Sequence, residues 1–397
     1  MKKLVIIWVS LICSAGFAQD LSKSRKAADM VTVEKHKVTV CNKSLLKDTV
    51  ILPLSYFTEE MKIVKLDNSE QALASPGAVV IGEQYILARG SGNNPCKLFT
   101  KEGKYIANIG AKGKGPGEYQ TVCDEVLDEK NNRIYILPWS SQSVLVYDLK
   151  GKVLDPVRLP MNVPKGKLFV DPSGTTISVF AVPFTGSKYI AWTQKVSGEV
   201  IGGIAPGTLA ISPRDASGKF NGFNNEIMSG KNTSGMDAFL FTFGARLDTL
   251  YHYDAKANQL IPRFTVDYGS AKKIPIFTYA ELPFHYMGSF SELKQVDQST
   301  SVASRHVFFV IEKATLKGNY FKLKNDYLGD MEIGWPAYSF SNGYFTGNYD
   351  PGDLLDELEK ALSNRKLSAD ARQKLTRLKS SISEKDNNYI FYAKLKQ

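Results

Sequence analysis

The chain of 397 residues is 43% hydrophobic and 23% charged, the balance of an ordinary globular protein, which excludes disorder, collagen and coiled coil. Its 31 Gly, 17 Pro and 40 Tyr plus Phe, against only 4 His, favour aromatic strands joined by tight turns over helices. The formal charge of +10 is scattered, with no run of five or six basic residues, so it reads as a solvated surface and no nucleic-acid partner is expected.

Met1-Lys2-Lys3, an apolar run from Leu4 to Ile12 and Gly16-Phe17-Ala18 before Gln19-Asp20 form a secretory signal peptide over residues 1–18. Its removal takes two lysines and leaves a charge of +8. A lipoprotein reading, with cleavage before Cys13, is opposed by the bulk of Ile12. No later stretch approaches the roughly 20 apolar residues of a membrane helix, so no transmembrane segment is expected. The product should cross the inner membrane and reside in the periplasm or on the cell surface. Residues 19–47 read as an N-terminal leader; up to about residue 40 they have little apolar periodicity and suit a loose leader or an added edge strand. Cys41, Cys96 and Cys123 are odd in number and lack CxxC or Cys/His spacing, which disfavours zinc; a Cys96–Cys123 bridge is open if neighbouring strands bring the two together.

From residue 48 a unit recurs: a short apolar strand, a turn with Gly and a charge, and another strand. Lys97-Leu98-Phe99 leads to Gly103, Val144 to Tyr147 leads to Gly151, Tyr189 to Trp192 leads to Gly198, and Leu250 to Tyr253 leads to Asn258. With Gly318 as the fifth equivalent turn, the spacings are 48, 47, 60 and 60 residues. Further strands lie upstream of each hairpin, such as Val79 to Ala88, Thr121 to Leu127 and Arg133 to Leu137. Four strands per unit is the count of a propeller blade. Between Asp48 and Gln397, setting aside a helical stretch of 33 residues leaves 317, which fits six such units.

That helical stretch, about 351–383, carries Leu354, Leu355, Leu358, Ala361 and Leu362 on one face, then Ser368 as a cap before Ala371, Leu375, Leu378 and Ile382. It reads as a helical hairpin inserted between the last strands and packed on the flank. Asn388 to Leu395 is again a strand. Ring closure calls for an N-terminal strand in the last blade, and Asp48 to Leu54 and Met61 to Leu66 are the candidates. The expected fold is all-β: a six-bladed β-propeller of four-stranded antiparallel blades over 48–397, with the helical hairpin near the C-terminus.

One segment, Phe99-x3-Gly103-Lys104-Tyr105-Ile106-x2-Ile109-Gly110-x2-Gly113-x-Gly115-Pro116-Gly117-Glu118-Tyr119, resembles the blade-to-blade signature of secreted six-bladed β-propeller proteins common in Bacteroidetes, relatives in architecture of NHL-repeat propellers. Asp248-Thr249-Leu250-Tyr251, then Pro262-Arg263-Phe264 and Asp267-Tyr268-Gly269, is similar to a later element of the same family. Lys114 stands where Gln is commoner, and Tyr268 where Phe is. The resemblance implies the fold and carries over no catalytic set or ligand.

Chemical motifs are sparse. His36, His252, His285 and His306 show no HxxxH spacing, and His252, between Tyr251 and Tyr253, reads as an outward or hydrogen-bonded strand residue rather than a catalytic base. Ser289 lacks the second glycine of a nucleophile elbow. Asp171-Pro172-Ser173-Gly174-Thr175-Thr176 echoes an Asp box once and reads as a turn. Gly113 to Glu118 lacks the Lys-Ser/Thr and helix of a phosphate loop.

A propeller gathers inter-strand loops around one axial mouth. Residues placed to supply contacts there are Arg89, Asn93 and Asn94 in the first blade, Trp139 in the second, Arg246 before the Asp248 strand, and Trp335 and Tyr338 in the last blade. The resulting expectation is a monomeric, non-enzymatic binding or scaffold protein that takes a protein, peptide or glycan ligand without a cofactor. The alternative is a metal-assisted propeller hydrolase or lyase with ligands in the central channel, for which an axial calcium is the candidate.

Overall fold

Short apolar strands separated by turns assemble into six four-stranded antiparallel blades in the computed structural model, which describes residues 21–74, 76–214, 218, 225–242, 248–270, 275–291, 293–295, 301–303, 306–333 and 340–397. The first five blades follow the chain, at 76–109, 122–163, 166–204, 225–267 and 276–325, and the first strand of each is the innermost. The signal peptide expected over 1–18 lies outside the described residues.

The turn residues do what their backbone chemistry allows. Gly103, Gly151 and Gly198 take φ of +87°, +82° and +101° between the third and fourth strands of blades 1 to 3, and Asn258 takes +52° in blade 4. The fifth equivalence needs correction: in blade 5 the left-handed position falls on Leu316, at φ +59°, while Gly318 opens the following strand. Glycine is required at 318 for closeness, because a Cβ there would stand 2.2 Å from the Ile311 Cδ1 and 2.6 Å from the Val310 carbonyl oxygen. Asp171 to Thr176 is a turn, with the Asp171 carboxylate accepting from the amides of Ser173, Thr175 and Thr176.

The Gly-Pro-rich segment is the crossover from blade 1 to blade 2. Ala111–Lys112 and Glu118–Tyr119 pair in parallel, and the Glu118 side chain folds back to accept from the Gly115 amide at 2.8 Å. Tyr147 donates to the Gly117 carbonyl at 2.8 Å, which fixes the loop on blade 2.

Both chain ends meet in blade 6. Thr58–Lys65 is its outermost strand, antiparallel to Tyr389–Leu395, so the second of the two candidate segments closes the ring. The first, Thr49–Pro53, runs parallel to Gly318–Asn325 on the outside of blade 5. Residues 28–42 form a hairpin, Ala28–Val33 with His36–Asn42, which adds two strands to blade 4.

Helices α1 (Pro351–Ser363) and α2 (Ala369–Ser380) connect the second and third strands of blade 6, with Asp350 and Ser368 as N-caps. Leu354, Leu358, Leu375 and Leu378 pack on Leu54 and Leu328, against blades 5 and 6. Aromatic rings fill the seam between blades 4 and 5: Phe264 stacks on Tyr286 with centroids 4.6 Å apart and on Phe309 at 6.2 Å. The Tyr and Phe excess is thus spent on inter-blade packing.

Strand direction gives the ring two unlike faces. Where inner strands end, the turns are no longer than five residues, apart from 229–236 in blade 4. Where inner strands begin, long connections (110–121, 182–190 and the helical hairpin) stand among short ones such as 139–140 and 164–165. We call these the turn face and the loop face.

Candidate functional site

The loop face carries the described residues that sequence reasoning placed at the mouth. Asn93 is exposed and Asn94 half-buried in the turn after the second strand of blade 1, and Trp139 is half-buried in the corresponding turn of blade 2. Arg89, one residue before that strand ends, points inward: its Nε donates to the Glu125 carboxylate at 2.6 Å, and its second terminal nitrogen lies 2.5 Å from the same oxygen. Arg246, Trp335 and Tyr338 lie outside the described residues.

Beneath the mouth, the innermost strands place charge in the channel. Asp124 and Glu125 are neighbours on the inner strand of blade 2, 5% and 4% exposed. Asp124 accepts from the Lys231 ammonium at 2.5 Å and from the Leu168 amide at 2.6 Å, with the Lys167 ammonium 3.7 Å away. Burial works to raise the Asp124 pKa, but Lys231 and Lys167 outweigh it and hold the carboxyl below its usual range. Each acid therefore has its own cation, and an axial calcium would have to displace them. Among the described residues no three His, Cys, Asp or Glu side chains gather as a metal site would need.

Lys231 belongs to the 229–236 loop, the long exception on the turn face, and its bond to Asp124 runs from blade 4 to blade 2 past the inner strand of blade 3. The loop bridges blade 4 to blades 2, 5 and 6. Asn232 donates to the carbonyls of Glu281 and Phe340, each at 3.1 Å, and accepts from the Gly343 amide, so one side chain ties blade 4 to blades 5 and 6. Lys231 takes a left-handed φ of +51°, a strained conformation for a residue with a side chain. Asp237 holds the loop in that shape by accepting from Ser229 Oγ and from the amides of Gly230 and Lys231, at 3.1 to 3.3 Å.

Asp237 is one of four charged or titratable groups packed at the base. His252 bonds the Glu281 carboxylate through Nε2, and Lys313 donates to the other Glu281 oxygen at 2.6 Å. Burial, reinforced by the Glu281 carboxylate, pushes the Asp237 pKa up. Burial also works to raise Glu281, but His252 and Lys313 prevail and lower it. His252 is thus the hydrogen-bonded strand residue the sequence suggested. Ser289 bonds Thr278 at 2.8 Å and meets His306 Nδ1 at 3.3 Å, yet is 1% exposed, too enclosed to meet a substrate.

A shallow recess on the turn face, lined by residues that include Tyr56, Pro283, Phe284, His285 and Lys396, stands away from the mouth. Burial, with Lys313 nearby, lowers the His285 pKa to about 4, so its ring is neutral at ordinary pH. The three described cysteines are free thiols, and the open Cys96–Cys123 bridge does not form. Cys96 starts the third strand of blade 1, whereas Cys123 lies on the innermost strand of blade 2. Burial raises Cys41 to about 12 and Cys123 to about 11, which leaves them unreactive.

Sequence reasoning missed the channel residues Asp124, Glu125, Lys167, Lys231 and Asp237. The available signal was the acidic pair Asp124-Glu125 between Val122-Cys123 and Val126-Leu127, which a buried position tolerates only beside cations.

The chain matches the family model "Domain of unknown function (DUF4934)" over residues 37–394. Among solved structures it is similar to a Bacteroides fragilis chain called "Putative exported protein", at 16% identity, with 89% of this chain and 99% of that one covered and a TM-score of 0.56. A Bacteroides vulgatus member of the DUF4221 family is 10% identical, with coverages of 85% and 97% and a TM-score of 0.46. No curated protein matches. With the match running from the outer hairpin of blade 4 to the last strand of blade 6, the chain belongs to the DUF4934 family.

Proposed function

We propose that the protein is an exported, non-enzymatic binding propeller that recognises a protein, peptide or glycan on its loop face, around the axial mouth. The observation that carries this reading is the state of the channel. Asp124 and Glu125 are each held by a side-chain cation, Asp237 is taken up by the amides of the 229–236 loop, and that loop bridges blades 4, 5 and 6 across the base. A ligand would therefore rest on the loops rather than enter a reaction chamber. Long connections on that one face supply a broad surface, and the short turns that carry Asn93, Asn94 and Trp139 lie on the same face. Export is supported by the signal-peptide pattern at residues 1–18 and by the name of the Bacteroides fragilis neighbour.

The test is binding to arrayed glycans and peptides by the wild-type protein and by the double variant Asn93→Ala/Asn94→Ala. The variant should bind about tenfold more weakly, since loss of two or three polar contacts removes on the order of 1.4 kcal/mol, with an unchanged melting temperature. A ligand that binds both proteins equally would place recognition away from this mouth.

A further inference from the structure

Four cations and three carboxylates meet along the inner strands of blades 2, 3 and 4, and the cations do not divide evenly among the acids. Arg89 holds Glu125, Lys231 holds Asp124 at 2.5 Å, and Lys165 lies 3.2 Å from Glu226 while donating to the Asn225 carbonyl at 2.7 Å. Lys167 is the fourth. Among the described residues its ammonium reaches the Cys123 carbonyl at 3.4 Å and the Asp124 carboxylate at 3.7 Å. Both are longer than the roughly 2.7–3.2 Å of a well-made N–H···O bond. Asp124 is also spoken for, because its second oxygen already accepts from Lys231 and from the Leu168 amide.

The position of Lys167 puts this surplus near the mouth. It is the second residue of the inner strand Gly166–Val170, as Cys123 is of Val122–Asp128, and both strands begin at the loop face. Lys165, just before the strand, marks the rim above it. The Lys167 side chain keeps 17% of its surface open, so solvent reaches it from one side without surrounding it. An ammonium largely withdrawn from water is costly until both its N–H groups and its charge are answered. Water answers the first and leaves the second. An anion answers both, whereas a calcium ion would have to approach Asp124 past two ammonium groups.

We propose that Lys167 anchors a carboxylate-binding subsite in the throat of the propeller, entered from the loop face past Lys165. One surplus positive charge matches a monovalent carboxylate, and a phosphate or sulfate dianion would exceed it. An ammonium that donates to a carboxylate makes the stronger, charge-assisted kind of hydrogen bond, which its present contacts do not supply. The acid has two possible sources, a small free carboxylate or the acid group of a ligand seated on the loop face. The second source rests on the reading of the mouth proposed above, and the first is independent of it.

Crystals of the purified, exported protein soaked in sodium bromide locate the subsite by anomalous scattering, and added sodium acetate tests its class. A bromide peak beside the Lys167 ammonium is expected, displaced by acetate and absent from Lys167→Met. In solution, acetate at a hundredfold excess over its dissociation constant should raise the melting temperature of the wild type by about 2–3 °C. Lys167→Arg should keep this response and Lys167→Met should lose it. For any acidic ligand captured from the glycan and peptide arrays, methyl esterification should weaken binding about tenfold in the wild type and leave Lys167→Met unaffected. Acetate binding with no loss on esterification would assign the subsite to the free acid. The proposal is overturned if no anion stands beside Lys167, if the bromide resists acetate and is an adventitious ion only, or if Lys167→Met responds as the wild type does. Array ligands that bind while acetate and bromide do not would sink the subsite and leave the mouth standing. Should Lys167→Met fail to fold, the competition between bromide and acetate in the wild type still decides.

Discussion

The phenol oxygen of Tyr119 accepts the Cys96 amide at 2.8 Å and donates to the Ile109 carbonyl at 2.6 Å, while its ring packs between blades 1 and 2 at 2% exposure. Both partners lie at the ends of blade 1 strands, where the ladder no longer serves them. Tyr119→Phe keeps the ring and orphans two buried backbone groups, so it should lower the unfolding free energy by about 1–3 kcal/mol. The urea midpoint reads this, and a midpoint equal to wild type would mean the hydroxyl has no such role. At this scale the sequence was partly legible. The glycines and proline before Tyr119 announced a crossover, but nothing local announced that the tyrosine would reach back to Cys96, 23 residues earlier. Asp124 and Glu125 show the same limit, since their cations come from 107 and 36 residues away, respectively.

Among the elements, the closing strand Thr58–Lys65 and the exit of the helical hairpin share one anchor. Asp386 accepts from Lys65 at 2.5 Å, from Asn68 at 2.9 Å, from Tyr389 at 2.7 Å and from the Ser383 amide at 2.9 Å. Burial opposes its ionisation, but these donors prevail and hold its pKa at about 2. The folded pKa lies below the unfolded value near 4, so this stabilisation is complete above about pH 4 and is lost as pH falls through about 2. Asp386→Asn should be less stable than wild type at pH 7, with the gap closing toward pH 2, as read by denaturant melts across that range. A gap independent of pH would exclude the carboxylate as its source. Turns and helices were readable here because their signals are local: Gly103, Gly151, Gly198 and Asn258 supply positive φ, and Asp350 and Ser368 supply caps. Pairing was not. Residues 48–54 and 61–66 looked equally fit to close the ring, since alternation identifies a strand and not its neighbour.

For the whole molecule, closure is the step on which the rest depends. The outermost strand of blade 6 comes from residues 58–65 and pairs with residues 389–395, more than 300 positions away. Without it, blade 6 ends at a bare Tyr389–Leu395 edge and the ring has an open side. The leader and the outer hairpin contribute differently. Ala28–Val33 is exposed along most of its length, whereas Met61 in the closing strand is 3% exposed and joins the same apolar cluster as Phe391 and Leu354. Two truncations separate these roles. A chain that starts at His36 loses the exposed edge strand and the short leader before it; it should remain a folded propeller with a single cooperative thermal transition at somewhat lower temperature. A chain that starts at Leu66 loses the closing strand and the outer strands of blades 4 and 5; it should lose cooperativity and aggregate, because a long unpaired edge recruits further strands. Calorimetry and light scattering on the two truncations make the comparison. Cooperative melting by the shorter chain near the full-length temperature would mean that the inter-blade seams, and not the shared last blade, hold the ring together.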